Sequence, residues 1–419
     1  MRILHVLHNS LPLLCGYSIR SGYIVNLERA MGLEPWVVTS GQHPNGDAMS
    51  ETIAGTLYRR TPHAPGGRVP LSREWQLMKT LECEVEAVAC QIRPDLIHAH
   101  SPVLVGLPAL RVAQRLDIPM VYEIRDLWEN ASVDRGRFAA GSPLYRLARG
   151  LESYVLRNAD AVVTICNLLK DELEPRSGDP GKVHVIANGV DAEHFRPVRA
   201  NDELKRRWGL EGKEIVLYAG TFQPYEGLDL LVRAMPDILR HRPHAHLVIV
   251  GGSAGFAGAS APATLEERRL TSVVDECGVA AHVTFTGRVP HGEMKEMYAL
   301  ADVMAYPRRL TRTTALTTPL KPLEPMAMAK PVIVSDVPAM KEIVSDGVTG
   351  LVFEAGREQA LAAQCVALLS DPARRAALGE AAREWILRER RWSSLVAQYR
   401  GIYDSVVQNI LPAEEKIPA

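Results

Sequence analysis

Short apolar runs alternate with longer stretches of helical periodicity along the whole chain. The runs are bounded by polar or turn residues and rich in Val and Ile, as buried parallel strands are. Helical segments lie between them, as in 21–30, 74–90, 105–115 and 228–240. This alternation predicts two doubly wound α/β domains with parallel sheets. The predicted strands are RILHVL, PWVVTS, DLIHAH, PMVYEI, DAVVTI and VHVIAN in the first half, then EIVLYAG, HLVIVG, HVTFTG, DVMAYP, KPVIVS and TGLVFE.

The alternation of strands and helices is interrupted once, in DAEHFRPVRANDELKRRWG at 191–209. There a proline is followed by a polar run. Such a break is typical of a linker between domains. We therefore expect a first domain over 1–196 and a second over 197–392. A last helical stretch, 392–411, follows a helix predicted over 374–390.

The composition is that of a soluble globular protein, with 47% hydrophobic and 23% charged residues in 419. A net charge of −1 provides no basic field, which argues against nucleic acid as a partner. No apolar run reaches the roughly 20 residues that span a bilayer. The six cysteines form no C-x-x-C pair, which argues against a zinc site. These features predict a cytoplasmic protein.

In open α/β sheets a ligand binds beyond the carboxyl ends of the strands, so the junctions that follow strands are informative. YAGTFQPYEGLD places Gly220 and Thr221 where backbone N–H groups can approach a phosphate. A tight turn without a ligand is the alternative. The segment lacks the G-x-G-x-x-G and Walker patterns, so neither nicotinamide nor P-loop binding is indicated. VIVGGSAG, at 248–255, is a second junction of this kind.

Two further junctions carry charge. FTGRVPHGEM places Arg288 after a strand, where a guanidinium can pair with a diphosphate or with a surface acid. TPLKPLEPMA places Lys321 in a loop and Glu324 in the first turn of a helix. That carboxylate would either cap the helix or accept hydrogen bonds from ligand hydroxyls. YPRRLTRTT, just upstream, supplies arginines that are either a solvated face or partners of an anion.

In the first half, polar residues again follow the predicted strands. HAHS ends one strand with His98 and His100 on the same face. Two such histidines could ligate a metal, but no third ligand is obvious, and hydrogen bonding is the favoured interpretation. YEIRDLWEN ends the next strand with Glu123, Arg125 and Asp126.

The second-half segments YAGTFQPYEGLDLLVRA, VTFTGRVPHGEM and PLKPLEPMAMAKPVIVSDVPAMKEIVSDGVTGLVF together resemble the retaining GT-B glycosyltransferases of family 4. MRILHVLHNSLPLLCGYSIRS, HAHSPVLVGLPALRVA and MVYEIRDLWENA resemble the subgroup associated with exopolysaccharide and exosortase gene clusters. The resemblance implies two Rossmann-like domains facing across a cleft, with a last helix of about 393–412 crossing back to the first domain. It also implies a metal-independent reaction without a cofactor, a UDP- or GDP-sugar donor, and a saccharide or lipid-linked acceptor.

The same resemblance assigns roles to individual residues. Glu324 matches the carboxylate that binds the donor's ribose, and 320–323 matches the loop whose amides meet its phosphates. Glu123 and Arg125 would lie on the acceptor side. The catalytic candidates are Arg288 and Lys321, with Asp126, Glu123 and His100 as possible general bases. The donor-binding residues implied are Gly16, Asn188, Gly220, Thr221, Val289, Leu320, Leu323 and Glu324.

Three positions depart from the family pattern. Glu226 stands where many members have a phosphate-loop lysine, and Lys321 could supply that charge instead. Arg125 falls near a frequent acceptor-side histidine. The glutamate that contacts the transferred sugar is replaced by Ala315 or Leu316, depending on the spacing used. A non-catalytic nucleotide-sugar-binding protein and a sugar-nucleotide 2-epimerase are therefore alternatives.

The segment 143–160, PLYRLARGLESYVLRNAD, carries an apolar stripe with interspersed arginines. A stripe of this kind most often packs on its own sheet. Alternatively, it could rest on the anionic inner face of the cytoplasmic membrane, as a peripheral contact.

Overall fold

The computed structural model describes residues 1–43, 49–63, 71–252 and 264–410. The chain divides into two compact units. Unit 1 comprises Met1–Asn188 together with the chain from Trp392, and unit 2 comprises Gly189–Arg391. Two doubly wound α/β units are what the alternating pattern predicts.

Unit 1 is built on a twisted sheet covered by helices. Its strands are β1 (Arg2–Leu7), β2 (Glu34–Thr39), β3 (Ser50–Ile53), β4 (Thr56–Arg60), β5 (Leu96–His100), β6 (Met120–Ile124), β7 (Ala161–Thr164) and β8 (Val183–Val185). Its first helices are α1 (Gly16–Ala30), α2 (Ser72–Ile92), α3 (Val103–Leu116), α4 (Trp128–Asp134), α5 (Pro143–Asn158) and α6 (Asn167–Ser177).

The strands of unit 1 lie in the order β3-β4-β2-β1-β5-β6-β7-β8, and only β3 runs antiparallel to its neighbour. All six strands predicted in this half are present. The β3–β4 hairpin was not predicted because β3 is a polar, largely exposed edge strand without an apolar run. The sheet order reverses between β1 and β5, so their carboxyl ends form the switch point of unit 1.

Unit 2 has a smaller, fully parallel sheet. Its strands are β9 (Glu214–Thr221), β10 (Ala245–Gly252), β11 (Val283–Gly287), β12 (Val303–Tyr306), β13 (Val332–Ser335) and β14 (Leu351–Phe353). Its helices are α7 (Asp202–Arg207), α8 (Leu228–His241), α9 (Leu265–Glu276), α10 (Met294–Leu300), α11 (Arg312–Leu316), α12 (Leu323–Ala327), α13 (Pro338–Lys341), α14 (Glu358–Ser370) and α15 (Pro372–Glu389).

The order of this sheet is β11-β10-β9-β12-β13-β14, with every pair of neighbours parallel. All six strands predicted in this half are present. The order reverses between β9 and β12, which makes their carboxyl ends the switch point of unit 2. The junction predicted at 248–255 lies at the end of β10, and its residues from 253 onward are outside the described residues.

The boundary between the units falls at 188/189, eight residues before the predicted one. The segment after Asn188 packs on unit 2, because Val190, Ala192 and Phe195 are buried in its core. Val190 also bridges to Arg391 at the far end of the unit. The polar run that suggested a linker instead leads into α7, capped by the Asn201 side chain.

The last helix, α16 (Trp392–Ile410), belongs to unit 1. Trp392 stacks on Tyr23 with ring centroids 5.2 Å apart, and Tyr399 and Tyr403 are completely buried. The chain therefore returns to its first domain, as the resemblance implies. In the described part of the chain, no helix has both the length and the apolarity needed to cross a bilayer.

Candidate functional site

The switch point of unit 2 gathers small residues at the ends of neighbouring strands. Gly220 and Thr221 end β9, and they pair in register with Gly251 and Gly252 of β10. Gly220 has φ +151°, a backbone conformation that strongly favours glycine. An added Cβ at Gly251 would lie 2.0 Å from the Gly220 carbonyl oxygen. These positions keep the backbone bare where a ligand can approach.

Glu324 lies in the first turn of α12, as predicted. One carboxylate oxygen accepts from the Tyr298 hydroxyl at 2.7 Å, and the other lies 3.1 Å from His291 Nε2. The side chain is 18% exposed. Because both oxygens are held by side chains and not by N–H groups of α12, the geometry favours a ligand-binding carboxylate over a helix cap. The hydrogen bond between His291 and Glu324 raises the pKa of His291.

Lys321 crosses from its loop to the end of β9. Its Nζ lies 2.8 Å from Glu226 Oε1 and donates to the Tyr218 hydroxyl at 2.9 Å. The Thr221 carbonyl is 3.4 Å away. The lysine stem runs over Gly220, where an added Cβ would lie 2.5 Å from Lys321 Cε. The structure therefore brings together Gly220, Thr221 and Lys321, all of them predicted site residues.

The other predicted residues of unit 2 divide into exposed and packed groups. Arg288 is exposed after β11 and lies over Gly252. The side chains of Val289 and Leu320 pack against the core of unit 2, and Leu323 is part of that core. The Leu323 amide already donates to the Leu320 carbonyl at 3.0 Å. The expectation that the Leu323 amide meets a phosphate is therefore not supported.

Three of the predicted unit 1 residues are locked inside the fold. Glu123 and His100 have no exposed surface, and Arg125 is 7% exposed. Glu123 accepts from Arg20 Nε at 2.9 Å, from Arg125 Nε at 2.7 Å and from the Tyr399 hydroxyl. Burial alone would raise the pKa of Glu123, but the two guanidinium groups hold it well below its usual range. The sequence-based assignment of Glu123 and Arg125 to an acceptor surface, and of His100 as a base, is corrected by this burial.

A directed chain of hydrogen bonds starts at Arg125. Its Nη2 donates to His100 Nδ1 at 2.6 Å, so His100 carries its proton on Nε2. That nitrogen lies 3.2 Å from His5 Nδ1, and His5 Nε2 lies 2.7 Å from Glu28. Each imidazole thus accepts on one nitrogen and donates on the other. Burial lowers the pKa of His100, which keeps its ring neutral.

His5 is the third histidine that the sequence pattern did not reveal. The ligand atoms of His5, His98 and His100 all lie within 4.8 Å of one another. However, the His98 and His100 rings stack with centroids 4.1 Å apart and 23° between planes, so their in-plane lone pairs do not converge. His98 Nδ1 lies 2.8 Å from the Tyr403 hydroxyl. The cluster therefore fits hydrogen bonding better than metal coordination.

Two of the remaining unit 1 candidates lie nearer the surface, whereas Asn188 is buried. Gly16 is exposed at the start of α1, and Asp126 is partly exposed after β6. Burial raises the pKa of Asp126, although Arg135 opposes the shift. Asn188 is the last residue of unit 1, and its Oδ1 lies 3.3 Å from Arg20 Nη1.

Comparison with known proteins identifies the family. Residues 16–189 match the model for the glycosyl transferase 4-like domain, and residues 200–385 match that for glycosyl transferases group 1. A relative from Mycobacterium tuberculosis H37Rv is 32% identical over 84% of this chain and 91% of its own length. The chain belongs to the family-4 GT-B glycosyltransferases.

That relative is described as a GDP-mannose-dependent alpha-(1-6)-phosphatidylinositol monomannoside mannosyltransferase. A D-inositol 3-phosphate glycosyltransferase from Stackebrandtia nassauensis is 30% identical over 78% of this chain and 71% of that protein. In fold, this chain is similar to sucrose-phosphate synthase from Thermosynechococcus elongatus. The TM-score is 0.79 at 22% identity, over 97% of this chain and 99% of that one.

The arginines upstream of Lys321 are mostly engaged within the glycosyltransferase. Arg309 Nη2 lies 2.6 Å from Asp229, and Arg308 is 5% exposed and donates to the Thr317 carbonyl. Arg312 is exposed at the start of α11. The Arg309 side chain is itself 42% exposed, so this run of arginines is partly solvated. The helix α11 reads RTTAL, so Ala315 and Leu316 bring no carboxylate to the site.

Sequence reasoning missed several residues of this site. His291 lies inside the quoted segment FTGRVPHGEM, and its position just after a strand was the available signal. Tyr298 and Tyr218 carry no local signal, because each lies in an otherwise apolar stretch and its hydroxyl finds a partner only through the tertiary fold.

Proposed function

We propose that this chain is a retaining glycosyltransferase that moves a sugar from a nucleoside-diphosphate sugar to a saccharide or lipid-linked acceptor. The observation that carries this proposal is the arrangement in unit 2, where Glu324 and Lys321 lie at the switch point. A carboxylate held by Tyr298 and His291 can accept hydrogen bonds from ribose hydroxyls. An ammonium over the bare turn at Gly220 can meet a diphosphate.

The chemistry requires charge stabilisation at two places. As the bond between the sugar and the diphosphate lengthens, positive charge develops on the sugar and negative charge on the leaving phosphate. Lys321 and the exposed Arg288 are the cations proposed to stabilise that phosphate. The acceptor hydroxyl's proton passes to the departing phosphate oxygen. Asp126 is the alternative acceptor of that proton, since His100 is buried inside unit 1.

For the donor, we propose a GDP-sugar first and a UDP-sugar second. The GDP-mannose dependence of the mycobacterial relative supports ranking the GDP-sugar before the UDP-sugar. The acceptors named for the two relatives, one a phosphatidylinositol mannoside, support a lipid-linked or saccharide acceptor. A metal-independent reaction and a role in exopolysaccharide synthesis are proposals that rest on the sequence resemblance.

The test is the release of nucleoside diphosphate from GDP-, UDP- and ADP-sugars, with cell-envelope lipid extract as acceptor. The chain is assayed beside Ala315→Glu, with Glu324→Gln as the control in which turnover should be strongly reduced. Release by the chain and by Ala315→Glu names the donor and shows that Ala315 is tolerated. Release that persists undiminished in Glu324→Gln contradicts the proposed site.

A nucleotide-sugar-binding protein without turnover is the second candidate, and Ala315 is the observation that favours it. In that case the chain binds nucleotide but releases none, and Ala315→Glu alone becomes active. An epimerase on the same fold would convert the donor sugar without releasing nucleotide. Analysis of the recovered donor separates these outcomes.

We also propose a peripheral contact with the cytoplasmic membrane through α5. Leu144, Leu147 and Tyr154 are 43%, 49% and 45% exposed, and Arg146 and Arg157 are exposed beside them. The inner half of the helix packs on its own unit, so the predicted stripe is divided between the core and the surface. Basic residues beside apolar ones suit an anionic leaflet.

Co-sedimentation with anionic and neutral vesicles tests this contact. We expect salt-sensitive binding to anionic vesicles that Leu147→Glu weakens. Leu265→Glu, at a leucine that is 79% exposed in unit 2, is the matched control and should change nothing. Equal binding of both variants would contradict the proposal. In the described chain no disulfide joins any of the six cysteines, which supports a cytoplasmic location.

A further inference from the structure

The ion pair between Lys321 and Glu226 has a third member. Arg308 Nε lies 3.7 Å from Glu226 Oε1, so one carboxylate is shared by two cations. Among the described residues, Glu226 Oε2 and Arg308 Nε have no hydrogen-bond partner. Two positive charges against one negative charge leave a surplus of one positive charge in a buried region, where electrostatic interactions are strong.

Of the three charged side chains, that of Lys321 is the most exposed to solvent. The Lys321 side chain is 20% exposed, whereas those of Glu226 and Arg308 are 3% and 6% exposed. Lys321 is also the member that lies over Gly220 at the switch point. An anion arriving at the end of β9 would therefore meet the ammonium first.

The surroundings of Lys321 decide whether it stays charged. Burial lowers its pKa, and Glu226 opposes that shift. Arg308 also lowers it, while the Tyr218 hydroxyl accepts from the ammonium and the Tyr306 hydroxyl donates to the Lys321 carbonyl. Glu226 is thus the one carboxylate among these neighbours that keeps the ammonium protonated.

We propose that Glu226 is a positioning residue, which holds the Lys321 ammonium over Gly220, where that ammonium meets the donor's diphosphate. This inference rests on the proposed function. In many members of the family the turn after β9 carries a lysine. Here that turn carries Glu226, and the lysine comes from the loop before α12. The pair would keep the cation in place although it comes from a loop far along the chain.

A purely structural salt bridge is the alternative, and an internal ratio separates the two. For each variant we measure dissociation constants for GDP and guanosine, UDP and uridine, and ADP and adenosine by calorimetry. The preference for diphosphate over nucleoside reports only on phosphate contacts, because both ligands meet the same folded protein. We expect Lys321→Met to reduce this preference about tenfold to a hundredfold.

Lys330→Met is the matched control. Lys330 Nζ also lies in unit 2 but donates only to the carbonyls of Ala299 and Ala301, as far as the described residues show. We expect it to lower stability and leave the preference unchanged. An unchanged preference in Lys321→Met would overturn the inference. If the unaltered chain binds none of the nucleotides, the proposed function fails first and the inference falls with it.

Glu226→Gln tests the positioning role through pH. Without the carboxylate, the pKa of Lys321 falls further, so the ammonium loses its proton as pH rises. We expect the diphosphate preference of Glu226→Gln, divided by that of the unaltered chain at the same pH, to decline as pH rises. A ratio that does not change with pH would assign Glu226 no role in holding the charge.

Discussion

The two units place similar residues at similar points of their sheets, yet they use them differently. In unit 1, Glu123 and its histidine and arginine partners near the switch point are buried. In unit 2, Glu324 at the corresponding point keeps 18% of its side chain exposed. Each carboxylate has a tyrosine hydroxyl as a partner. Proximity to the carboxyl ends of the strands therefore locates a residue, but burial determines what the residue can do.

The largest expected effect is in unit 1. Glu123→Gln removes the charge between Arg20 and Arg125 and leaves two buried guanidinium groups without their counter-ion. We expect the free energy of unfolding to fall by about 3–5 kcal/mol, measured by urea denaturation. Nucleotide affinity of the folded fraction should stay within about twofold. A stable variant that has lost nucleotide binding would contradict the placement of the nucleotide site in unit 2.

The matched change in unit 2 should act on function and not on folding. Glu324→Gln replaces a partly exposed carboxylate whose partners can turn to water. We expect a change of less than about 1 kcal/mol in unfolding free energy. Turnover of the donor should fall about 30-fold to 100-fold, as expected for the loss of charge-assisted hydrogen bonds. The measurement is nucleoside-diphosphate release at saturating acceptor.

Acidification should act on the two units with opposite signs. Burial lowers the pKa of His98 and His100, so below about pH 6.5 the unfolded chain binds protons that folded unit 1 excludes. Unit 1 should therefore lose stability as pH falls below that value. The raised pKa of His291 has the reverse effect: its contribution is fully present at low pH and is lost as pH rises through that pKa.

Hydrogen exchange at pH 7.5 and 5.5 resolves the two units. Amides of β1, β5 and β6 should exchange faster at pH 5.5 after correction for intrinsic rates, and those of α10 and α12 should not. A uniform change across both units would mean that the histidines of the buried cluster do not govern the acid response.

The smallest expected effect is that of Tyr298→Phe. This change removes one of the two side-chain partners of Glu324 and leaves His291 in place. Turnover should fall by about tenfold or less, corresponding to one hydrogen bond of about 1 kcal/mol. The expected loss becomes greater as pH rises through the raised pKa of His291, because His291 then loses its proton. A pH-independent loss would show that His291 does not support Glu324.

The sequence by itself determined the architecture, because the signals for it are local. Contiguous apolar runs with helical segments between them place twelve strands correctly, and the short helix that carries Glu324 follows from its own residues. The first turn of that helix and the bare turn at Gly220 needed no distant information. The domain boundary was wrong by eight residues, because polar residues begin a helix as readily as they form a linker.

Only the tertiary structure decided which charged residues are sealed and which are open. Lys321 meets Tyr218 across 103 residues of sequence, and His98 meets Tyr403 across 305. No local pattern encodes such pairs, since they depend on strand order and on the return of the last helix to unit 1. For the same reason, the sequence did not reveal His5 as a partner of His100, or His291 as a partner of Glu324. Both pairs form only in the folded units.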